Sequence, residues 1–172
     1  MTAIGQTTTL TTSVCPNGNG KKRTVTIHTG VVTAYPGMHM KPSTATYGNG
    51  VDIGDVTAAA NTAVQNIIEL LEVPMYKVGS QTAWDISTAS VAAESRETVE
   101  AEIGKEYILR GSNLTIAAGQ LIIRAASGLW AGVNVAHNTT ILHGPAFQCT
   151  VACTTSTYVR GKFVGIVPYC TA

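Results

Sequence analysis

Charge is what this chain has least of. Only 12% of its 172 residues are Asp, Glu, Lys or Arg, and eleven basic against ten acidic side chains leave a formal net charge of +1. That share is about half of what a globular domain ordinarily carries. A field so weak draws in neither nucleic acid nor an anionic membrane, so neither is expected as a partner. Aromatic residues are scarce at 6%. No apolar run approaches the roughly 18 residues of a membrane span. The opening "MTAIGQTTTLTTSV" lacks the basic and apolar regions of a secretory leader, and the expectation is a chain made and folded in the cytoplasm.

Signatures of chemistry are missing as well. In "CPNGNGKKR" Cys15 stands where a phosphate loop needs its first Gly, and Lys22 follows Lys21 where Ser or Thr is required, so the segment reads as a basic turn. There is no G-x-S-x-G elbow and no H-E-x-x-H, and His28, His39, His137 and His143 are scattered. An enzyme is therefore not expected, nor a metal or a cofactor. Trp84 and Trp130 invite comparison with a sugar site. Packing is the stronger reading, because Trp130 directly follows Leu129 in an apolar strand.

The four cysteines, Cys15, Cys149, Cys153 and Cys170, contain no C-x-x-C pair, and buried free thiols are their default reading. A bridge from Cys149 to Cys153 requires a turn, since residues four apart on one strand lie about 13 Å apart. Cys15 and Cys170, one near each end, are a candidate disulfide that would tie an arm down under oxidising conditions.

What the chain does have is Thr, Ala, Gly and Val in strand-like order, within a hydrophobic share of 45%. Residues 1–14 are charge-free and Thr-rich and read as an extended arm, with Pro16 and two Asn-Gly turns closing a segment that runs to residue 20. In "RTVTIHTGVVTAYPGMHMKP", Val25 and Ile27 alternate with Thr24 and Thr26, which gives short antiparallel strands. "DVTAAANTAVQNIIELLEV" offers the one plausible helix, capped by Asp55, although "NIIELLEV" reads equally as a buried strand. Pro74 ends whichever forms.

Five of the ten acids fall between Glu94 and Glu106. Val99, Ala101 and Ile103 alternate there with Thr98, Glu100 and Glu102, so the glutamates are expected on a wet strand face, which does not raise a pKa for acid-base work. "GSNLTIAAGQLIIRAASGLWAGV" then reads as a β-meander, turning at Ala118-Gly119 and Ser127-Gly128. "PAFQCTVACTTSTYVRGKFVGIVP" reads as two more strands joined by "ACTTST". The expected fold is mainly β: a small antiparallel β-barrel or β-tulip-like domain over 21–172, with an N-terminal arm and turn over 1–20 and at most one short helix.

The succession "ETVEAEIGKEYILRGSNLTIAAGQLIIRAASGLWAGV" and "GPAFQCTVACTTSTYVRGKFVGIV" resembles the capsid decoration, or cement, proteins of tailed double-stranded DNA viruses. The residues that carry the resemblance are Ile116, Ala118 and Gly119, then Gly128, then Val151 and Ala152, then Val159 to Val167; "GVVTAYPGMHMKPS", turning at Gly37, resembles the family's earlier strand entry. About two thirds of the chain is covered. "NVAHNTTILHG" and the Thr-rich arm depart from the pattern.

The resemblance implies a structural virion protein on the capsid exterior, commonly a homotrimer, that clamps neighbouring major capsid subunits and performs no chemistry. In that setting Ile4 and Leu10 of the arm are expected as apolar anchors on a neighbour, and the region around Trp130 is expected near a three-fold interface. Two other readings stay open: a carbohydrate- or surface-binding β-module, and a fibre or pilus-like subunit.

Overall fold

The computed structural model describes residues 13–16, 20–27, 33–42, 53–55, 68–73, 86–87, 89, 95–133 and 141–170. The arm anchors Ile4 and Leu10, and also Trp84, lie outside these residues. Among the described residues the fold is mainly β, with ten strands and a single 3₁₀ turn at Ala126–Gly128.

The strands close into two five-membered rings. Strands β1 (Lys21–Ile27), β2 (His39–Pro42), β3 (Ile53–Asp55), β4 (Glu69–Leu71) and β5 (Ser95–Glu100) form the first, in the order β1-β3-β2-β4-β5. Strands β6 (Glu106–Ile116), β7 (Leu121–Arg124), β8 (Trp130–Gly132), β9 (Ile141–Val151) and β10 (Cys153–Cys170) form the second, in the order β10-β6-β8-β7-β9. Closure removes the open edges through which sheets aggregate.

Strand β1 shows why these residues make strands. Val25 and Ile27 are buried while Thr24 is exposed, and β1 pairs antiparallel with β5 from Lys21↔Glu100 to Thr26↔Ser95. Its other neighbour, β3, runs parallel, against the expectation of antiparallel strands throughout. Of the ambiguous "NIIELLEV", Glu69–Leu71 form strand β4, and all six residues from Ile68 to Val73 are buried, which an amphipathic surface helix does not achieve; Asn66 and Ile67 lie outside the described residues. Asp55, expected to cap a helix, is the last residue of β3, and residues 56–67, over which that helix is expected to begin, lie outside the described residues.

Three further expectations are corrected. The predicted meander is not one: β8 lies between β6 and β7, touching β6 in parallel at Gly111↔Trp130. Turn residues locate the bends but do not say on which side the strand returns, and the Ala126–Gly128 turn sends β8 back between its predecessors. The alternation around Ile103 also fails. Strand β5 stops at Glu100, Thr98 is buried, and Ile103 sits 75% exposed on a turn with Gly104 at φ +88°. Finally, "ACTTST" does lie between the paired stretches of β9 and β10, which meet at Val151↔Arg160, but it is not an irregular loop. The strand is interrupted only at Ala152, and Cys153 and Ser156 already pair with Ile116 and Leu114 of β6.

The largest core cluster spans both rings: Leu70 and Val99 of the first, together with Ile68 beside β4 and Val14 ahead of β1, pack with Tyr107, Leu109, Ile122, Trp130, Phe147 and Phe163 of the second, while smaller clusters lie around Ile27, Met40 and Leu71 and around Ile123 and Ala146. Phe147 is its hub, with edge contacts to Trp130 at 4.9 Å and Tyr107 at 6.0 Å and a tilted contact to Phe163 at 4.9 Å. So few aromatics suffice because they are concentrated at one point.

Candidate interaction site

Residues Ser13 to Cys15, the root of the predicted arm, are built into the junction of the two rings. The Val14 side chain is fully buried, and its carbonyl accepts the Ile108 N–H of β6 at 2.8 Å. On the other side stands Glu72, only 1% exposed. One of its carboxylate oxygens accepts the N–H groups of Val14 at 2.7 Å and Val73 at 2.8 Å. The other accepts the Ser13 hydroxyl at 2.9 Å and faces Lys22 Nζ at 3.5 Å. A buried carboxylate is tolerated only when its lone pairs are filled and its charge is balanced, and here the arm root supplies two of the donors.

Around this clasp runs a ladder of ion pairs. Lys21 meets Glu100 at 2.8 Å, Lys22 also reaches Glu97 at 3.4 Å, and Arg23 forms a two-pronged pair with the buried Glu69. "KKR" is thus the start of β1 rather than part of a basic turn. The glutamates of β5, Glu97 and Glu100, are the partners of Lys22 and Lys21. Sequence reasoning missed Glu72 and Glu69. The available signal was two acids inside the apolar run "IIELLEV", where a charge must find a partner.

A second polar feature ties β6 to β10. The Arg110 guanidinium lies over the Tyr35 ring at 3.6 Å and near the Tyr158 ring at 5.0 Å, and it bonds the Tyr158 hydroxyl, which in turn donates to the Ile86 carbonyl. This stack holds together segments far apart in sequence. Beside the arm root lies a depression of about 340 Å³ lined by Cys15, Gly104, Lys105, Glu106, Thr150 and Lys162. Thr150 donates to Glu106 there, and Lys105 is paired with Glu102 at 2.9 Å. Burial pushes the Cys15 thiol above its ordinary pKa, against the opposing pull of Lys105, so it is a poor nucleophile at neutral pH.

The remaining sequence candidates fall as follows. Trp130 is 1% exposed and donates its indole N–H to the Gly37 carbonyl. Within the chain it is a core residue, packed in the largest apolar cluster. Gly37, Gly119 and Gly128 occupy turns with φ of +81°, +84° and +72°. Cys15 is a free thiol, and the side chain of Cys170 lies outside the described residues. His39 is buried with its ring edge toward Trp130 at 5.9 Å, and His143 is exposed on β9. Among the described residues no group of three metal-ligating side chains comes together. Compared with known protein families and with curated proteins, the chain matches no family model and no curated sequence.

Proposed function

We propose that this protein is a structural virion component, a decoration protein that binds the outside of an icosahedral capsid and stabilises it by clamping neighbouring major capsid subunits. The observation that carries the reading is the correspondence between the resemblance and the backbone: Gly37, Gly119 and Gly128, which the family pattern puts at turns, all adopt positive φ at turns leading into strands. Closed, densely cored rings with an arm root fixed at their junction support it. A rigid body transmits a lattice load, and a segment starting from a fixed point reaches a neighbour at little cost in entropy.

The clamp works by multivalency. A cyclic homotrimer presents equal weak contacts to a symmetric shell and gains avidity from their number. Residues 1–12 act as the arm, with Ile4 and Leu10 as apolar anchors along a neighbouring sheet edge. Electron microscopy of expanded capsids mixed with the purified protein tests this, the expected result being ordered density on the outer surface. A chain beginning at Ser13 is expected to keep its fold and lose most of that density. Bare capsids at saturating protein overturn the reading, as does a strictly monomeric mass on and off the shell for the trimer.

A further inference from the structure

We infer that Cys149 and Cys153 form a latent disulfide pair that oxidation closes across the bend between β9 and β10. The spacing that forbids such a bridge on one straight strand is removed by the break at Ala152, which separates the end of β9 from the start of β10. The backbone then places both cysteines against one turn. Cys149 donates its N–H to the Gln120 carbonyl at 2.8 Å and accepts the Gly119 N–H at 2.8 Å, while Cys153 is the register partner of Ile116. Ile116 immediately precedes a tight turn over residues 117–120, closed by the Gln120 N–H on the Ala117 carbonyl at 3.2 Å, and Gly119 and Gln120 form its far end. Two residues paired to the two ends of that turn are brought close to each other.

The side chains agree with the backbone. Cys149 and Cys153 are 2% and 7% exposed and belong to the same core cluster, whereas the three residues between them, Thr150, Val151 and Ala152, face solvent. The chain thus arches outward between two inward thiols, which is the shape a short disulfide loop requires. Both thiols make only weak sulfur bonds, from Cys149 to the Val151 carbonyl at 3.2 Å and from Cys153 to the Leu114 carbonyl at 3.7 Å. Neither bond is a substantial loss on closure. Burial raises both thiol pKa values, and for Cys149 the neighbouring Cys153 adds to the shift. The pair is therefore slow to react at neutral pH and remains reduced in a reducing cytoplasm.

The oxidant is a small-molecule disulfide such as oxidised glutathione. One protein thiolate attacks it, forming a mixed disulfide and releasing one glutathione thiolate. The second protein thiolate then attacks the protein-side sulfur and releases the other glutathione. The two cysteines lose two electrons and two protons, and the glutathione disulfide gains them. A loop of five residues closed in this way constrains the unfolded chain modestly, so a melting point roughly 5 °C higher is expected after oxidation.

The test is incubation of the folded full chain with oxidised glutathione, followed by alkylation in denaturant and tryptic digestion. Residues 125–160 form one tryptic peptide that contains Cys149 and Cys153 and neither of the others. The expected result is a fall from four alkylated thiols to two, with this peptide unalkylated and carrying no glutathione. In Cys153→Ala, Cys149 is expected to stop at the mixed disulfide or remain free. The inference is overturned if both cysteines of the wild-type peptide are still alkylated or singly glutathionylated at equilibrium, or if they pair with Cys15 or Cys170. The capsid reading stands apart, since shell binding measured with reductant present tests it alone.

Discussion

The indole N–H of Trp130 donates to the carbonyl oxygen of Gly37 at 3.0 Å, joining the core of the second ring to the turn that enters β2 of the first. The same carbonyl accepts the Arg110 N–H at 3.1 Å, and the Gly37 N–H donates to the Leu71 carbonyl at 2.8 Å. One glycine therefore connects β4, β6 and β8.

That position leaves no room for a side chain. A Cβ on Gly37 would stand 2.6 Å from the Ile108 carbonyl oxygen and 3.0 Å from the Arg110 nitrogen, at φ +81°. Both contacts are to backbone, which cannot rotate away. Gly37→Ala is expected to destabilise the fold by about 3 kcal/mol, combining the left-handed strain with displacement of β6. Urea unfolding measures it, and a loss below ~1 kcal/mol contradicts the packing described.

Gly119 makes the contrasting prediction. Its φ is +84°, yet a Cβ there would meet nothing within 4 Å. Only the backbone preference is lost, so Gly119→Ala is expected to cost about 1 kcal/mol and Gly119→Asn less, since Asn tolerates this region. Gly119→Val exceeds both because of its branched side chain. Equal costs for Ala at 37 and 119 contradict this distinction between clash and strain.

The reasons for these differences were only half legible in the sequence. Gly next to Pro36 or Ala118 announces a turn, and the alternation of Val25 and Ile27 announces a strand, because both depend on local geometry. Which strands become neighbours depends on contacts between distant residues, so the insertion of β8 between β6 and β7 left no local trace. Ile103 was misread because alternation continues in the sequence past the point where the backbone turns. Glu72 was passed over for a related reason: its partners Ser13 and Val14 lie 59 and 58 residues away.

Glu72 carries the third prediction. Removing its carboxylate leaves the Val14 and Val73 N–H groups buried without their acceptor, and Lys22 keeps only Glu97. Glu72→Ala is expected to cost about 3 kcal/mol, whereas Glu97→Ala, at a half-exposed pair, costs well under ~1 kcal/mol. Hydrogen exchange locates the effect: the Ile108 amide, held by Val14, is expected to lose protection in Glu72→Ala and keep it in Glu97→Ala. Unchanged protection at Ile108 in both variants contradicts the clasp.

The last prediction concerns alkaline pH. Burial raises the pKa of the Cys15, Cys149 and Cys153 thiols and of the Tyr107 phenol. Each group ionises more readily in the unfolded chain than in the folded one, so the folded state binds more protons once pH exceeds the unfolded values of about 9 for Cys and 10 for Tyr. Stability from these groups is complete below pH 9 and declines as pH rises through the folded values. Urea midpoints measured with reductant are expected to be level from pH 7 to 8.5 and to fall steadily above pH 9. Tyr107→Phe separates this from general charge repulsion. It loses the bonds from the Glu102 N–H at 2.9 Å and to the Glu100 carbonyl at 3.2 Å, and so starts less stable. Its slope above pH 10 is expected to be shallower than that of the wild type, because the phenol that must stay neutral is gone. Parallel slopes for the two proteins from pH 9 to 11 would remove Tyr107 from the alkaline transition.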